Sequence, residues 1–432
     1  MEETSSRIQP GGLKFILRSF HYRNYRLFFG GQGISLTGTW IQNVAMSWLV
    51  YSLTNSAFLL GVVGFAGQIP AFFLTPFAGV LVDRWNRHRT LVVTQTLAML
   101  QAFLLSFLVL TGSASIWHLI FLSFFLGLVN AVDMPARQSF VAKIIEKKED
   151  LGNAIALNSS MFNSARLLGP SIAGMLISAV GEGICFLLNG FSYLAVIAAL
   201  LAMKVKPRPV EARRANILQE LKEGFAYAFG SAPIRSIIMF VAMVSLVGMP
   251  YAVLMPVFAK EILQGGPHIL GFLMGFSGLG ALTGSVFLAS RRNSLGLVRL
   301  IPVAAGIFGA GLIAFSRSHT LWISMLLMML TGFGLMAQMA SSNTVLQTIV
   351  DDAKRGRVMA FYIMAFMGIA PFGSLLAGGL ASRIGAPDTL AISGAAVILG
   401  SVLFAKKSPL ILSAVRSHVP SGSSCASDRN ER

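Results

Sequence analysis

Arg166 is the one charged residue between Asp150 and Glu182. A guanidinium held among apolar residues offers five N–H donors in a rigid fork. That is the chemistry of binding an anion or a catechol-like, hydrogen-bond-accepting group. The alternative is structural, with the donors spent on helix carbonyls or Asn side chains. A second constellation is Gly79-Val-Leu-Val-Asp83-Arg84-Trp-Asn-Arg87-His-Arg89. Gly79 lets another helix come close, Asp83 can satisfy backbone donors at a helix N-terminus, and the arginines can pair with carboxylates. A plain charge cluster ending a membrane span is the blander reading. Third is Asp133, with Arg137 one helical turn on. Of the 17 acidic residues it comes nearest to lying inside an apolar run, where a carboxylate can exchange protons.

Other chemistry is missing. The six histidines have no metal-ligand spacing. Cys185 and Cys425 stand in unlike surroundings, so no disulfide is expected. No nucleophile elbow or carboxylate pair appears in the apolar runs, which argues against an enzyme. No bound cofactor or metal is expected.

The elements that position these residues follow from charge spacing. Between Arg26 and Asp83 lie 56 uncharged residues, and between Arg89 and Asp133 another 43. A bilayer core takes about 20 apolar residues per helix. Only 12% of the chain is charged and mean hydropathy is +0.71, against about 25% charge in soluble domains. The reading is an all-α integral membrane protein of twelve spans, near 27–51, 57–82, 90–111, 116–136, 153–180, 184–203, 236–259, 269–290, 298–316, 320–346, 358–382 and 388–405. The segments are an N-terminal lead-in 1–26, a six-helix bundle 27–203, a polar loop 204–235, a second bundle 236–405 and a disordered tail 406–432. No cleavable signal peptide is evident, and Lys14–Phe20 suits a surface amphipathic helix or a disordered lead-in.

Of the 34 Lys and Arg, all but Lys260, Arg317, Arg383 and Arg166 fall on one side of this alternation. Basic residues stay cytoplasmic, so both termini and the central loop are expected there. The net charge of +17 is thereby assigned to topology and anionic headgroups, not nucleic acid. The halves also repeat. At a constant offset of 204, Gly152, Ala156, Phe162, Gly169, Ala173, Gly174 and Gly181 fall on Gly356, Ala360, Phe366, Gly373, Ala377, Gly378 and Gly385. Parallel six-span repeats place a substrate site between them near mid-membrane. Uncharged polar groups mark a candidate cavity wall: Gln32, Thr39, Gln42 and Asn43 in span one, Asn130 in four, Asn163 in five, Gln338 and Asn343 in ten. Interhelical hydrogen bonding is their alternative role.

The Gly79–Arg89 segment resembles the G-x-x-x-D-R-x-x-R motif of the major facilitator superfamily, with Asn86 where the family usually has glycine. The resemblance implies a cytoplasmic gate of Gly79, Asp83, Arg84, Arg87 and Arg89, with Asp133 and Arg137 beside it. In related exporters an acid at Asp133 pairs with an arginine of the loop between spans two and three. Ala165 to Gly174 resembles the antiporter motif ending G-P-x-x-G-G, with Ala165 and Ala173 replacing glycines. It implies efflux, with Gly169, Pro170, Ala173 and Gly174 shaping a pivot. Asp133-Met-Pro135-Ala-Arg137, Arg23-Asn-Tyr-Arg26 and Gly38-Thr39-Trp40 resemble the branch of enterobactin-type siderophore exporters and secretion permeases. That branch implies alternating-access export of a small amphipathic, neutral or anionic molecule from the bacterial inner membrane. It also implies proton antiport and a monomer whose partners are its substrate and membrane lipids. A lysophospholipid flippase of the same fold and a nutrient uptake permease are the alternatives.

Overall fold

The computed structural model describes residues 17–204, 217–291, 294–351 and 354–418; within its helices the side chains at 75–84, 148, 217–221, 294 and 418 lie outside the description. Twelve long helices follow the predicted spans. In the first half they are α1 (Arg23–Thr54), α2 (Ala57–Arg84), α3 (Arg87–Leu110) and α4 (Ile116–Ile144). The continuous stretch Lys148–Leu201 then divides at Gly181 into α5 (148–180) and α6 (182–201). In the second half α7 spans Ala232–Ile262, α8 Pro267–Ala289, α9 Ser294–Ser316, α10 Leu321–Ile349, α11 Arg355–Ile384 and α12 Ala386–His418. No strand occurs among the described residues, as the bilayer requires of a chain that is not a closed barrel.

Several helices outrun their apolar stretches, because hydropathy marks what lies in lipid and not where a helix stops. α4 continues to Ile144 around Asp133, and α12 continues to His418 through the segment expected to be a disordered tail. The extension holds because Phe404, Ile411 and Val415 are buried on one face. The central loop also contains a helix, Ile217–Gly230. Its Phe225 and Phe229 pack on Phe361 of α11, and Glu223 pairs with Arg357 at 2.7 Å. Before α1, Arg18–His21 forms one 3-10 turn whose Ser19 hydroxyl donates to Asn153 at 2.6 Å.

The repeat read from the sequence is visible in the backbone. Gly181, between α5 and α6, has φ 80°, and its mate Gly385, between α11 and α12, has φ 85°. Both lie in the region where a Cβ clashes. The repeat also governs how the halves meet. α5 crosses α8 at Gly174 and Gly271; a methyl on Gly174 would lie 2.6 Å from the Pro267 carbonyl oxygen. α11 crosses α2 at Gly378 and Gly61; a methyl on Gly61 would lie 2.6 Å from the Ser374 carbonyl oxygen. Gly174 and Gly378 are repeat mates, so one contact is made twice about a pseudo-two-fold axis. The symmetry breaks in α7 and α11, which carry π-helical turns at Val244–Gly248, Phe258–Ile262 and Met364–Gly368.

Both crossings lie toward the side opposite the described termini, termed the far side. There one hydrophobic cluster runs through both halves, joining Val44, Trp48 and Ile177 to Phe258, Leu270 and Leu273. On the termini side the first half has its own cluster of Tyr25, Phe28, Leu91, Phe140, Ala154 and Leu200. The halves therefore share a core at the far side and separate toward the termini.

Asp133 sits inside the first half, 2% exposed. Its carboxylate accepts from Thr94 Oγ1 at 2.7 Å, from Gln95 Nε2 at 2.8 Å and from the Arg137 guanidinium. Its donors come from α3 and from its own helix. Removing one partner of a buried ion pair strands the other. Asp133→Ala is expected to lower unfolding stability by about 3 kcal/mol, read as a fall in the thermal midpoint in detergent. The glycine crossings give a second expectation. Gly61→Ala overpacks and should destabilise by about 1–3 kcal/mol. Gly152→Ala, with nothing within 4 Å of the new methyl, should be neutral or slightly stabilising in the same melt.

Candidate functional site

The face each residue occupies on α5 and α1 locates the space between the halves. A helix turns about 100° per residue, so Ile155, Ser159, Arg166, Ala173 and Ile177 form one stripe along α5. Ile155 and Ser159 are exposed, Arg166 is half-buried, and Ala173 and Ile177 are buried. On a different face Ser164, Leu168, Met175 and Ala179 are exposed along the whole length, as a lipid-facing surface must be. The Arg166 stripe thus lines a compartment that is open toward the termini and closes just beyond Arg166. α1 repeats the pattern: Gly30 and Ile34 are exposed, Thr37 is half-buried, and Ile41, Val44 and Trp48 on the same face are buried.

Arg166 therefore stands at the apex of the compartment, mid-way along α5. Among the described residues its guanidinium has neither a hydrogen-bond nor an ion-pair partner. The structural alternative, donors spent on carbonyls or Asn side chains, is not what this conformation shows. An unpaired charge at this depth is costly unless it meets water or a ligand. Its repeat mate is Ala370, 9% exposed, so the positive charge belongs to one half only. The compartment is chemically lopsided although its walls are nearly symmetric.

The residues expected to form its wall divide into two groups. Asn130 is exposed on α4 in line with Met134 and Gln138, on the termini half; Asn163 is half-buried on α5, one turn from Arg166. Asn43 is exposed, and Asn343 is half-buried and accepts from Gln347 at 2.8 Å. Gln32, Gln42 and Gln338 do not line a cavity in this conformation; each is 2% exposed or less. Gln42 donates to Gln101 of α3 at 3.1 Å and accepts from Asn189 of α6 at 2.8 Å, tying three helices. Gln338 donates to Ser342 one turn on. Thr39 donates to the Ser35 carbonyl of its own helix. In apolar surroundings polar side chains pair with one another, at about 0.6 kcal/mol on average. Gln101, the partner of Gln42 on α3, carries no charge or motif that would have singled it out.

The antiporter-like segment is an interface on two sides. A methyl on Gly169 would lie 2.5 Å from Trp40 Cβ of α1, while Pro170 and Gly174 face Gly271 of α8. Ala173 is buried between them. Trp40 also meets Phe162 edge-on, with ring centroids 6.1 Å apart. These small residues let α5 approach a helix of its own half and one of the other half together.

At the gate motif, helix α2 runs through Asp83 to Arg84, but the side chains of Asp83 and Arg84, and the surroundings of Gly79, lie outside the described residues. Asn86, where the superfamily motif has glycine, caps α3: its side chain accepts from the His88 and Arg89 backbone N–H groups at 3.1 and 3.3 Å. His88 in turn bonds the Leu200 carbonyl of α6 at 2.7 Å, and Arg89 is exposed. Arg137 is committed to Asp133 on its own helix.

Known proteins share this architecture. The chain is 26% identical over 384 residues to the Staphyloferrin A transporter of Staphylococcus aureus, covering 88% of this chain and 95% of that protein. It is 25% identical to the multidrug efflux pump Tap of Mycolicibacterium fortuitum (84% and 91% covered) and 22% identical to macrolide efflux protein A of Streptococcus pyogenes (87% and 95%). Among solved structures, a bacterial homologue of the human lysosomal transporter Spinster, inward-facing and unoccupied, superposes with a TM-score of 0.67 at 14% identity, over 92% of this chain and 98% of that one. A bacterial ferroportin homologue in an inward-facing state also gives 0.67, at 17% identity (89% and 98% covered). Residues 17–420 match the family described as transmembrane secretion effector, and the chain therefore belongs to this multi-pass branch of the major facilitator superfamily, whose members are transporters and not enzymes.

Proposed function

We propose that this protein exports a small amphipathic molecule, neutral or anionic and siderophore-like or drug-like, from the cytoplasm across the bacterial inner membrane. The observation that carries this reading is Arg166, an unpaired guanidinium at mid-depth in a compartment open on the termini side. Such a group selects ligands that bring negative charge or paired acceptor oxygens. The lack of any mid-span carboxylate argues against a specialist for cations. The basic residues concentrated on the termini side support a cytoplasmic position for both termini. The open compartment then faces the cytoplasm, where an exporter loads.

Transport would proceed by rocking of the two bundles, 27–203 and 236–405, about the site. Charge at Asp83, Arg84 and Arg87 would hold the cytoplasmic side closed while the far side is open. Gly169 and Pro170 allow α5 to move against α1. The proton gradient supplies the drive and no bound cofactor is needed. Asp133 is fitted to a structural role, since donors from α3 and Arg137 already fill its carboxylate. The names of the relatives, a siderophore-type transporter and two drug effluxers, support export of this class of solute. The protein works as a monomer in contact with membrane lipids.

The test compares small molecules retained by and secreted from cells that carry the wild-type gene, a deletion or Arg166→Gln. An acidic or acceptor-rich species should accumulate inside the deletion strain and the Arg166→Gln strain alike. Arg166→Lys should restore export in part, because charge remains while the planar fork is lost. Identical spent media from wild type and deletion would overturn the export reading. Normal secretion by Arg166→Gln would remove Arg166 from the site.

A further inference from the structure

The far side is shut by more than apolar packing. α1 ends at Thr54, and Asn55 follows in the left-handed region at φ 47°. α7 ends in the π-helical turn Phe258–Ile262. These two ends, one from each half, meet through four polar residues. The Tyr51 hydroxyl donates to Glu261 Oε1, and Lys260 Nζ donates to Asn55 Oδ1 at 2.7 Å. The Lys260 ammonium also lies 5.5 Å from the Tyr51 ring centroid. Tyr51 is buried, whereas Glu261 is exposed at the far aqueous edge.

We propose that Glu261 is a proton-binding site that controls the far-side gate: ionised, it holds α7 to α1 through Tyr51, and protonated from the far aqueous phase it lets them part. This rests on the alternating-access export reading above and supplies that cycle with a titratable group. A hydrogen bond to a carboxylate is about twice as strong as one between neutral partners. The closed state therefore binds the ionised form more tightly, and by linkage acid favours the open state. The π-turn places Lys260 and Glu261 side by side toward α1, so each reaches a different residue of the same helix end.

The other ionisable groups near this end are few. α2 has none between Ala57 and Val82. α8 brings His268, which lies against Phe272 and Ser178. α11 brings Arg383, which is exposed, and α12 brings Asp388, which pairs with Arg317 at 2.8 Å. Lys260 is held by Asn55. Glu261 is thus the one carboxylate that joins the two halves among the described residues.

The test uses the full chain in lipid nanodiscs, with Cys185 and Cys425 replaced by Ser. Spin labels go at Ser113, in the turn between α3 and α4, and at His319, in the turn between α9 and α10; both are exposed on the far side. Pulsed dipolar distances are recorded from about pH 8 to about pH 4.5, bracketing the ordinary carboxylate range. Wild type should gain a long-distance population as pH falls. Glu261→Gln should show that population at every pH, raised about five- to tenfold over wild type at about pH 8. Tyr51→Phe, which keeps the ring and removes the donor, should also raise it at about pH 8. A wild-type distance unchanged by pH, or a pH response that survives in Glu261→Gln, would overturn the proposal. The readout does not need a transported solute. A pH-driven gate in a protein that exports nothing would sink the export reading alone, and normal export with a pH-blind gate would sink this one alone.

Discussion

Helices that cross a bilayer gain little from the hydrophobic effect when they meet, because lipid tails are as apolar as Leu side chains. What holds the two halves of this transporter together is close approach. At Gly174 with Gly271, and at Gly378 with Gly61, backbone packs on backbone with no room for a methyl group. Because Gly174 and Gly378 are repeat mates, the same short contact is made on both flanks of the molecule. The position of the crossings, far from the termini, decides which end of the central compartment is closed. The shared apolar core and the Tyr51–Glu261 bridge then complete the seal.

The inside of the first half follows a different rule. Several of its buried polar groups pair with one another. Gln42 joins α1 to α3 and α6, and Asp133 joins α4 to α3. A charge of this kind is tolerable because every strong acceptor site is met by a donor. These bonds tie α1, α3, α4 and α6 into one bundle. Arg166 is the exception. It is left without a partner at the apex of the compartment, in contrast to Asp133. Both are charges set in apolar helices, and their pairing differs.

Asn86 shows how a departure from a family motif can be repaired locally. A glycine there would leave the first N–H groups of α3 to solvent. The Asn side chain satisfies two of them, a role for which Asn ranks among the best residues. The loop geometry is kept by capping in place of backbone freedom.

The sequence by itself determined the spans, the two-fold repetition and the sidedness of charge. These depend on local quantities: about 20 apolar residues per crossing, a fixed offset, and counts of Lys and Arg between runs. It also singled out Arg166, since a lone charge in an apolar run is visible without coordinates. It did not separate Gln42 and Gln338 from Asn130 and Asn163, because composition cannot say which face of a helix meets a neighbour and which meets water. The helix ends at Ile144 and His418 were likewise hidden, since Phe140, Ile144, Ile411 and Val415 bury one face only, and so sparse an apolar stripe among polar residues does not read as a span. Only the tertiary structure brought Tyr51 to Glu261 across 210 residues. Their meeting depends on the tilt of one half against the other, which no local pattern in the chain encodes.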